Sequence, residues 1–249
     1  MISNWPDNIY ILIPAYNTSN LLEKFIPALI DKVPSERICI VNDASEDNIH
    51  NVCEKWNITC LDHHENMGKG AALKTGFEHL IEKGARWIIT MDADGQHAVE
   101  DIPKFIDAAQ KNPSSGIIIG ARSMRIGIMP VMRICSNKIT SSILSIFSGT
   151  RIKDSQCGYR IYSTDLLKRI NLEYSRFQME SEVILKAVFY DFMVLFTDVQ
   201  TLYFNKQSHI SHFKDTLRWI AAVVRIWFQL VSSSRNNKKG DFSGNKNEY

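Results

Sequence analysis

The chain has 249 residues, of which 45% are apolar, and it carries a formal net charge of +2. This length and apolar content predict one large domain with a substantial core, or a domain plus an appendage. The net charge is too small to indicate a nucleic-acid partner.

Cysteine usage and the N-terminus indicate the compartment. The five cysteines are odd in number and lack any Cys-x-x-Cys spacing, which argues against a disulfide framework or a zinc site and favours a reducing environment. The N-terminal residues lack the basic and apolar segments of a signal peptide, and no apolar stretch is long enough to span a membrane. We therefore expect a cytoplasmic protein.

Short apolar runs alternate with amphipathic stretches in the first half of the chain. This alternation predicts βαβ units, and hence an α/β fold with a mainly parallel central sheet flanked by helices. Strands are predicted at Ile9–Ile13, Ile38–Val41, Ile58–Leu61, Trp87–Met91 and Ile117–Ile119. The first helix is expected to start near Thr18 or Ser19. Pro27 and Pro34 are expected to interrupt or end it.

Longer elements follow. Gly68–Lys83 is predicted as a helix, and a basic loop is expected after Gly120. Further helices are predicted at Val131–Phe147, Thr164–Ile170 and Met179–Tyr190, and a strand at Met193–Val199.

Three predicted strands end in polar segments, namely Pro14–Asn17, Asn42–Ser45 and Asp92–Gln96. In open parallel sheets the ligand lies at the carboxyl ends of the strands, so these segments are expected to meet at one crevice. Asp92 and Asp94, two residues apart, could both face this crevice and hold Mg²⁺ or Mn²⁺ while leaving coordination sites open for phosphate oxygens. The alternative is a plain turn, because Asp-Ala-Asp-Gly is also typical turn chemistry.

Two further positions have both a functional and a structural interpretation. Lys69, between Gly68 and Gly70 at a helix start, could meet an anionic nucleotide, although the segment does not match a P-loop. Its alternative is a solvated lysine. Asp43 could accept a hydrogen bond from a nucleotide base, or it could cap the helix that follows Ser45.

The chain also resembles a known family. Ile13–Asn17, Val41–Ser45, Glu65–Gly70, Asp92–His97, Gly120–Arg122 and Asp154–Arg160 occur in the order seen in family 2 glycosyltransferases. More narrowly, the chain resembles the dolichyl- and polyprenyl-phosphate mannose or glucose synthases. The resemblance covers residues from about Ile9 to Phe213.

The resemblance implies a GT-A fold, which is Rossmann-like, and an inverting transfer from a GDP- or UDP-sugar that depends on Mg²⁺ or Mn²⁺. It places the nucleotide sugar at Pro14, Ala15, Tyr16, Asn17, Asp43, Lys69, Asp92 and Asp154. Asp94 would be the principal metal ligand, with Gln96 and Asp92 as further ligands. The metal would neutralise the charge that develops on the departing nucleoside diphosphate.

Arg122 and Arg133 match the positions that meet the acceptor phosphate in polyprenyl-phosphate enzymes. Between Gly116 and Lys153 the chain has six basic residues and no acid, and a phosphate acceptor favours unpaired guanidinium groups. The alternative is a solvated basic surface.

Glu180 matches a family position near the sugar. A hydroxyl acceptor would need it as a base, whereas a phosphate acceptor is already anionic and needs none. Glu182 is a weaker substitute, and either residue could instead lie on an exposed helix face.

The chain departs from the dolichyl-phosphate synthases after the last strand. Those enzymes usually have an Arg-rich segment with Gly-x-Ser-Lys, where this chain has Lys206–Lys214. His212 or Lys214 is predicted to replace the residue that contacts the diphosphate, with a structural histidine as the alternative.

The C-terminal segment is predicted to form an amphipathic helix over Phe213–Val231. Lys214, Arg218, Arg225 and Gln229 fall on one stripe, and most other positions are apolar. Basic residues with tryptophans favour a membrane surface, whereas core packing or a contact with another copy or a membrane protein are alternatives. The predicted organisation is a catalytic domain at 1–212, this helix at 213–231 and a disordered tail at 232–249.

These features predict an enzyme that lies peripherally on the cytoplasmic face of a membrane and transfers a hexose to a polyprenyl phosphate. A second hypothesis is a family 2 glycosyltransferase that acts on a hydroxyl of a glycolipid or surface glycan. A nucleotidyltransferase, which would release pyrophosphate, is a more remote alternative.

Overall fold

In a computed structural model, which describes residues 5–125, 129–202 and 218–232, the strands form one mixed sheet. Its order is β3-β2-β1-β4-β6-β5-β7. The strands are β1 (Ile9–Ala15), β2 (Ile38–Asn42), β3 (Thr59–Asp62), β4 (Trp87–Thr90), β5 (Ser115–Arg122), β6 (Arg160–Ser163) and β7 (Met193–Val199). All neighbouring pairs are parallel except those of β6, which is antiparallel to β4 and β5. The predicted α/β fold with a mainly parallel sheet is confirmed.

The helices cover the sheet. They are α1 (Ser19–Ile30), α2 (Ile49–Lys55), α3 (Lys69–Glu82), α4 (Ile102–Lys111), α5 (Val131–Ser148), α6 (Thr164–Arg169), α7 (Gln178–Phe189) and α8 (218–232). The expectation that Pro27 interrupts or ends α1 is wrong, because the helix continues to Ile30. Pro27 has no backbone N–H to donate, but burial of the apolar face of α1, which includes Leu22 and Ile26, stabilises the helix through this position.

The strands are apolar because both faces of the sheet are covered. Every residue of β2 and of β4 is buried, which is typical of strands in parallel sheets. The strand β6 was not predicted, since it has only four residues and begins with Arg160. That guanidinium is fully buried and donates to the carbonyl oxygens of Cys157, Ser155 and Glu180 at 2.6, 2.8 and 2.8 Å. A buried charge satisfied in this way is compatible with a core strand.

The C-terminal helix α8 packs against the domain. Val223, Ile226 and Leu230 belong to the core, and the Trp219 indole donates to Ser181 Oγ of α7 at 2.9 Å. Its other face, including Arg225, is exposed. Part of the apolar surface of this helix thus lies in the core, whereas Phe228 is 59% exposed, and a membrane contact of the helix stays a prediction. Among the residues that the structure describes, no helix combines the length and the apolar character needed to cross a bilayer.

Candidate active site

The carboxyl ends of β1 and β2 are joined by hydrogen bonds. The Asp43 N–H donates to the carbonyl oxygen of Ala15 at 2.9 Å, and the Asn17 N–H donates to Ser45 Oγ at 3.0 Å. Asn17 Oδ1 in turn accepts from the Glu46 N–H at 2.9 Å. Asn17 has a φ of 52°, a left-handed conformation that asparagine tolerates. The structure thus brings together the first two of the predicted polar segments.

Asp43 holds the segment that leads into α3. Its carboxylate accepts hydrogen bonds from the N–H groups of Met67 and Gly68 at 2.9 and 2.7 Å, and His63 Nδ1 lies 2.7 Å from Oδ1. The helix-cap alternative for Asp43 is wrong, because Asn48 occupies the N-cap of α2. A contact between Asp43 and a nucleotide base stays a prediction.

Lys69 lies between two carboxylates. Its Nζ is 2.6 Å from Asp92 Oδ1 and 3.1 Å from Glu180 Oε1. Burial by itself would lower the pKa of Lys69, but the two carboxylates raise it well above its ordinary value. Lys69 therefore carries a firmly held positive charge, and the solvated-lysine alternative is wrong.

Asp92 is held from both sides. Its second oxygen, Oδ2, lies 3.2 Å from Nε2 of His97, a buried residue whose ring also packs on Tyr159. Burial would raise the pKa of Asp92, but Lys69 and His97 lower it far below its usual value. No role was predicted for His97, although it belongs to the Asp92–His97 motif, which also contains Asp94.

Glycines allow this charged group to pack closely. A Cβ on Gly158 would lie 2.6 Å from Asp92 Oδ2 and 2.8 Å from Lys69 Nζ, distances that no real Cβ tolerates. A Cβ on Gly70 would similarly meet the backbone of Ser175 at 2.7 Å. The glycine of the Asp154–Arg160 motif is therefore needed for the Lys69–Asp92 pair.

Asp94 has a simpler environment. It is half-buried, and its Oδ1 accepts the N–H of Gln96 at 2.9 Å in a turn that passes through Gly95, whose φ is 71°. The turn interpretation of this segment is confirmed, and the turn uses only one oxygen of Asp94. The role of Asp94 as a metal ligand stays a prediction. Gln96 is half-buried beside it.

Arg122 is paired, contrary to the expectation of an unpaired guanidinium. Its Nε and Nη2 donate to the two carboxylate oxygens of Asp154 at 2.8 and 2.9 Å, and Asn137 Nδ2 of α5 donates to Asp154 Oδ1 at 2.6 Å. Burial would raise the pKa of Asp154, but Arg122 and Asn137 lower it. Asp154 is fully buried, so the structure gives it the role of positioning Arg122 and not the predicted contact with the nucleotide sugar.

Arg133 lies on the same side of α5 as Asn137, one turn earlier, and is half-buried. Within the described residues its side chain makes no hydrogen bond or ion pair. His212 and Lys214 lie outside the described residues.

The two glutamates of α7 have different surroundings, and neither lies on an exposed helix face. Glu180 is buried and bonded to Lys69. Glu182 is fully buried, pairs with Lys186 at 2.7 Å, and accepts the N–H groups of Glu173 and Tyr174. Glu182 therefore stabilises the loop before α7 and is excluded as a substitute base.

Comparison with known proteins identifies the family. The model of glycosyl transferase family 2 matches residues 10–171, which include both aspartates, Lys69 and the Asp154–Arg160 motif. The chain belongs to glycosyl transferase family 2. It is therefore an enzyme of the glycosyltransferase class, and this membership removes the nucleotidyltransferase alternative.

Curated members of the family resemble the chain over most of its length. A UDP-N-acetylglucosamine–dolichyl-phosphate N-acetylglucosaminyltransferase of Methanococcus voltae is 30% identical over 204 residues, 72% of this chain and 79% of that protein. An undecaprenyl-phosphate mannosyltransferase of Micrococcus luteus is 30% identical over 173 residues, 66% of this chain and 70% of that protein. Within the family, the chain thus resembles the polyprenyl-phosphate sugar synthases.

Solved structures show the same fold. Glucosyl-3-phosphoglycerate synthase of Mycobacterium tuberculosis, in a complex with Mn²⁺, UDP and glucosyl-3-phosphoglycerate, superposes with a TM-score of 0.67 at 12% identity, covering 90% of this chain and 80% of that one. A complex of that enzyme with Mg²⁺ and UDP superposes with a TM-score of 0.66 over 90% of this chain and 79% of that one, also at 12% identity. This likeness confirms the GT-A fold.

Proposed function

We propose that this glycosyltransferase transfers a hexose from a GDP- or UDP-sugar to a polyprenyl phosphate, with inversion at the anomeric carbon. Two of its relatives are named for transfer to dolichyl or undecaprenyl phosphate. The arrangement of charges in the site supports the same kind of acceptor.

The donor is proposed to occupy the crevice at the ends of β1, β2 and β4. Pro14, Ala15, Tyr16 and Asn17 form one side of it, and Tyr16 has an exposed side chain that a nucleotide could cover. Asp43 is proposed to contact the base, and Lys69 brings a positive charge to the same edge of the sheet.

The carboxylates differ in how well they fit a divalent ion. Both oxygens of Asp92 are already engaged by Lys69 and His97, whereas Asp94 spends one oxygen on a backbone N–H. Asp94 and Gln96 offer the hard oxygen ligands that Mg²⁺ and Mn²⁺ prefer, so we assign the ion to these two. When bound, the ion supplies Lewis-acid neutralisation of the leaving diphosphate.

The transfer itself is a displacement. An oxygen of the acceptor phosphate attacks the anomeric carbon, the bond between that carbon and the donor diphosphate breaks, and the electron pair leaves on the nucleoside diphosphate. No proton needs to move, because the attacking oxygen is already anionic.

The observation that carries the proposal is the state of Glu180. Its Oε1 is bound to the Lys69 ammonium, which also holds Asp92. The Lys69 ammonium therefore competes for the oxygen with which Glu180 would accept a proton, and the lowered pKa of Asp92 makes that residue a weak base. A phosphate acceptor suits this site, whereas a hydroxyl acceptor would require one of these carboxylates to be released.

The acceptor phosphate is proposed to bind at Arg133 and Arg122. Arg133 stands on α5 within the acid-free basic segment, and the Asp154 carboxylate fixes the plane of the Arg122 guanidinium. A fixed planar guanidinium recognises phosphate with less loss of side-chain entropy than a flexible one. His212 and Lys214 remain proposed contacts of the diphosphate.

The surface of α5 supports a lipid acceptor. Three apolar side chains spaced by seven residues, and hence on one face, are largely exposed: Met132 at 72%, Ile139 at 55% and Ile146 at 77%. We call them the α5 stripe. Exposed Lys138 and Arg151 lie in the same basic segment. An apolar stripe with basic neighbours suits an anionic membrane surface, so we place the enzyme peripherally at the cytoplasmic face of a membrane.

The test of this proposal replaces Glu180 by Gln, which keeps an oxygen that can accept from Lys69 but removes the base. Loss of a general base lowers turnover roughly 10²–10⁴-fold. With polyprenyl phosphate as acceptor, the turnover of Glu180→Gln should fall much less than this. The matched control is Glu78→Gln on the exposed side of α3. Collapse of turnover in Glu180→Gln alone would favour the hydroxyl-acceptor alternative.

A further inference from the structure

A second group of chemically reactive side chains lies at the edge strand β3, which pairs with β2. His50 and Cys53 are three residues apart on α2 and therefore share one helix face. Cys60 and Asp62 are two residues apart on β3 and therefore share one strand face. We call these four residues the edge cluster.

The side chains of the edge cluster converge. The ligand atoms of His50, Cys60 and Asp62 all lie within 4.8 Å of one another, and His50 Nε2 is 2.9 Å from Asp62 Oδ1. The Cys53 thiol lies beside Cys60, at the margin of this group. Two atoms bound to one tetrahedral Zn²⁺ at about 2.0–2.1 Å would lie roughly 3.3 Å apart, so small side-chain movements would suffice.

We propose that the edge cluster binds a zinc-type ion through His50 Nε2, Cys60 Sγ and the Asp62 carboxylate, with the fourth coordination position open to solvent. Thiolate and imidazole ligands select Zn²⁺ over the hard ions Mg²⁺ and Mn²⁺. The site is therefore chemically distinct from the oxygen ligands of Asp94 and Gln96.

The surroundings allow an ion to enter and orient its ligands. The side chains of His50 and Asp62 are 56% and 43% exposed, so an ion can reach them from solvent. Asn42 Nδ2 donates to Asp62 Oδ1 at 2.9 Å, as an outer partner of a ligating carboxylate does. Asn42 Oδ1 also accepts the N–H of Ser45, so the ion would connect α2 and β3 to the turn beside the donor crevice.

The spacing of the ligands explains why the sequence argued against a zinc site. The two cysteines stand seven residues apart on different elements, and no Cys-x-x-Cys pair marks them. Only the packing of α2 on the sheet edge brings them together.

The test titrates the full-length, reduced and metal-free protein with Co²⁺, which reports thiolate ligation through a charge-transfer absorption band independent of turnover. We expect the band to saturate at one Co²⁺ per chain and to disappear when Zn²⁺ displaces the Co²⁺. Cys60→Ser should abolish the band. His50→Ala changes an exposed side chain and should weaken Co²⁺ binding. Because loss of an outer partner of a metal ligand already costs roughly 10–100-fold in affinity, loss of the ligand itself should cost at least as much.

Two controls separate this site from others. Cys135→Ser removes an exposed cysteine on α5, and Asp94→Asn alters the proposed catalytic metal site; both should leave the band unchanged. Absence of the band in the wild-type protein, its persistence in folded Cys60→Ser, or an unchanged Co²⁺ affinity in His50→Ala would overturn the proposal.

Discussion

The substitution Gly158→Ala places a methyl group on the Lys69–Asp92 pair. The new carbon would lie 2.6 Å from Asp92 Oδ2 and 2.8 Å from Lys69 Nζ. The backbone cannot retreat easily, because the Gly158 carbonyl oxygen accepts a hydrogen bond from Thr90 Oγ1 of β4 at 2.8 Å. The charged side chains must therefore move apart.

The size of the effect follows from the packing. Insertion of one methyl group into a filled site costs about 1–3 kcal/mol. The displaced charged pair lines the donor site, so we expect the same free energy to be added to the barrier for transfer. The value of kcat/KM should then fall roughly 5–150-fold, since about 1.4 kcal/mol corresponds to a factor of ten.

The matched control is Gly116→Ala in β5, where a Cβ would meet the Phe192 Cβ at the same 2.6 Å. Gly116 lies at the start of β5, and the Gly158 side of the sheet lies at the end of that strand. Both variants should lower the midpoint of thermal unfolding, and only Gly158→Ala should lower kcat/KM for the nucleotide sugar. Equal kcat/KM losses in the two variants, or an unchanged kcat/KM in Gly158→Ala, would refute the role assigned to Gly158.

Further predictions concern charge, metal and lipid. Asp154→Asn should lower the free energy of unfolding by about 3–5 kcal/mol in urea titrations near neutral pH, because it leaves Arg122 without its buried partner. The pKa of Asp154 is lower in the folded state, so its contribution to the free energy of unfolding is present above the unfolded pKa of about 3.9 and is lost as the pH falls through the folded pKa. The difference in unfolding free energy between wild type and Asp154→Asn should therefore shrink below about pH 4. A difference that does not change with pH would contradict the ion pair. Asp94→Asn should reduce metal-dependent turnover roughly 10²-fold or more and should weaken Mn²⁺ binding measured by calorimetry. The control Asp107→Asn, on the exposed face of α4, should change neither the turnover nor the Mn²⁺ affinity. Replacement of the α5 stripe by serine should weaken co-sedimentation with anionic vesicles while leaving the unfolding midpoint in place, and unaltered vesicle binding would remove the stripe from the membrane contact.

Patterns of short range predicted much of the fold. The apolar runs located six of the strands, and the rule that ligands meet at the carboxyl ends of parallel strands correctly joined Asn17 to Ser45. Periodicity also located the helix α5 and the strand β7, because each has a continuous pattern of its own.

Contacts between distant residues could not be read from the sequence. Arg122 was expected to be unpaired because its own segment has no acid, but its partner Asp154 is 32 residues away. Glu180 was predicted near the sugar, with an exposed helix face as the alternative, and neither interpretation located its contact with Lys69, 111 residues away. The amphipathic pattern of α8 favoured a membrane surface, with core packing as the alternative. The structure packs Val223 and Ile226 into the core, contacts that the pattern alone did not locate.

The proposed function depends on the chemical nature of the acceptor, which product analysis identifies. Purified enzyme, Mn²⁺ and a panel of GDP- and UDP-sugars are incubated with a polyprenyl phosphate and, separately, with the matching polyprenol, which offers only a hydroxyl. We expect only the polyprenyl phosphate to gain a hexose, with a nucleoside diphosphate as the second product. Mild acid should release the sugar from this lipid. Transfer to the polyprenol or to a glycolipid hydroxyl with none to the phosphate would contradict the proposed function.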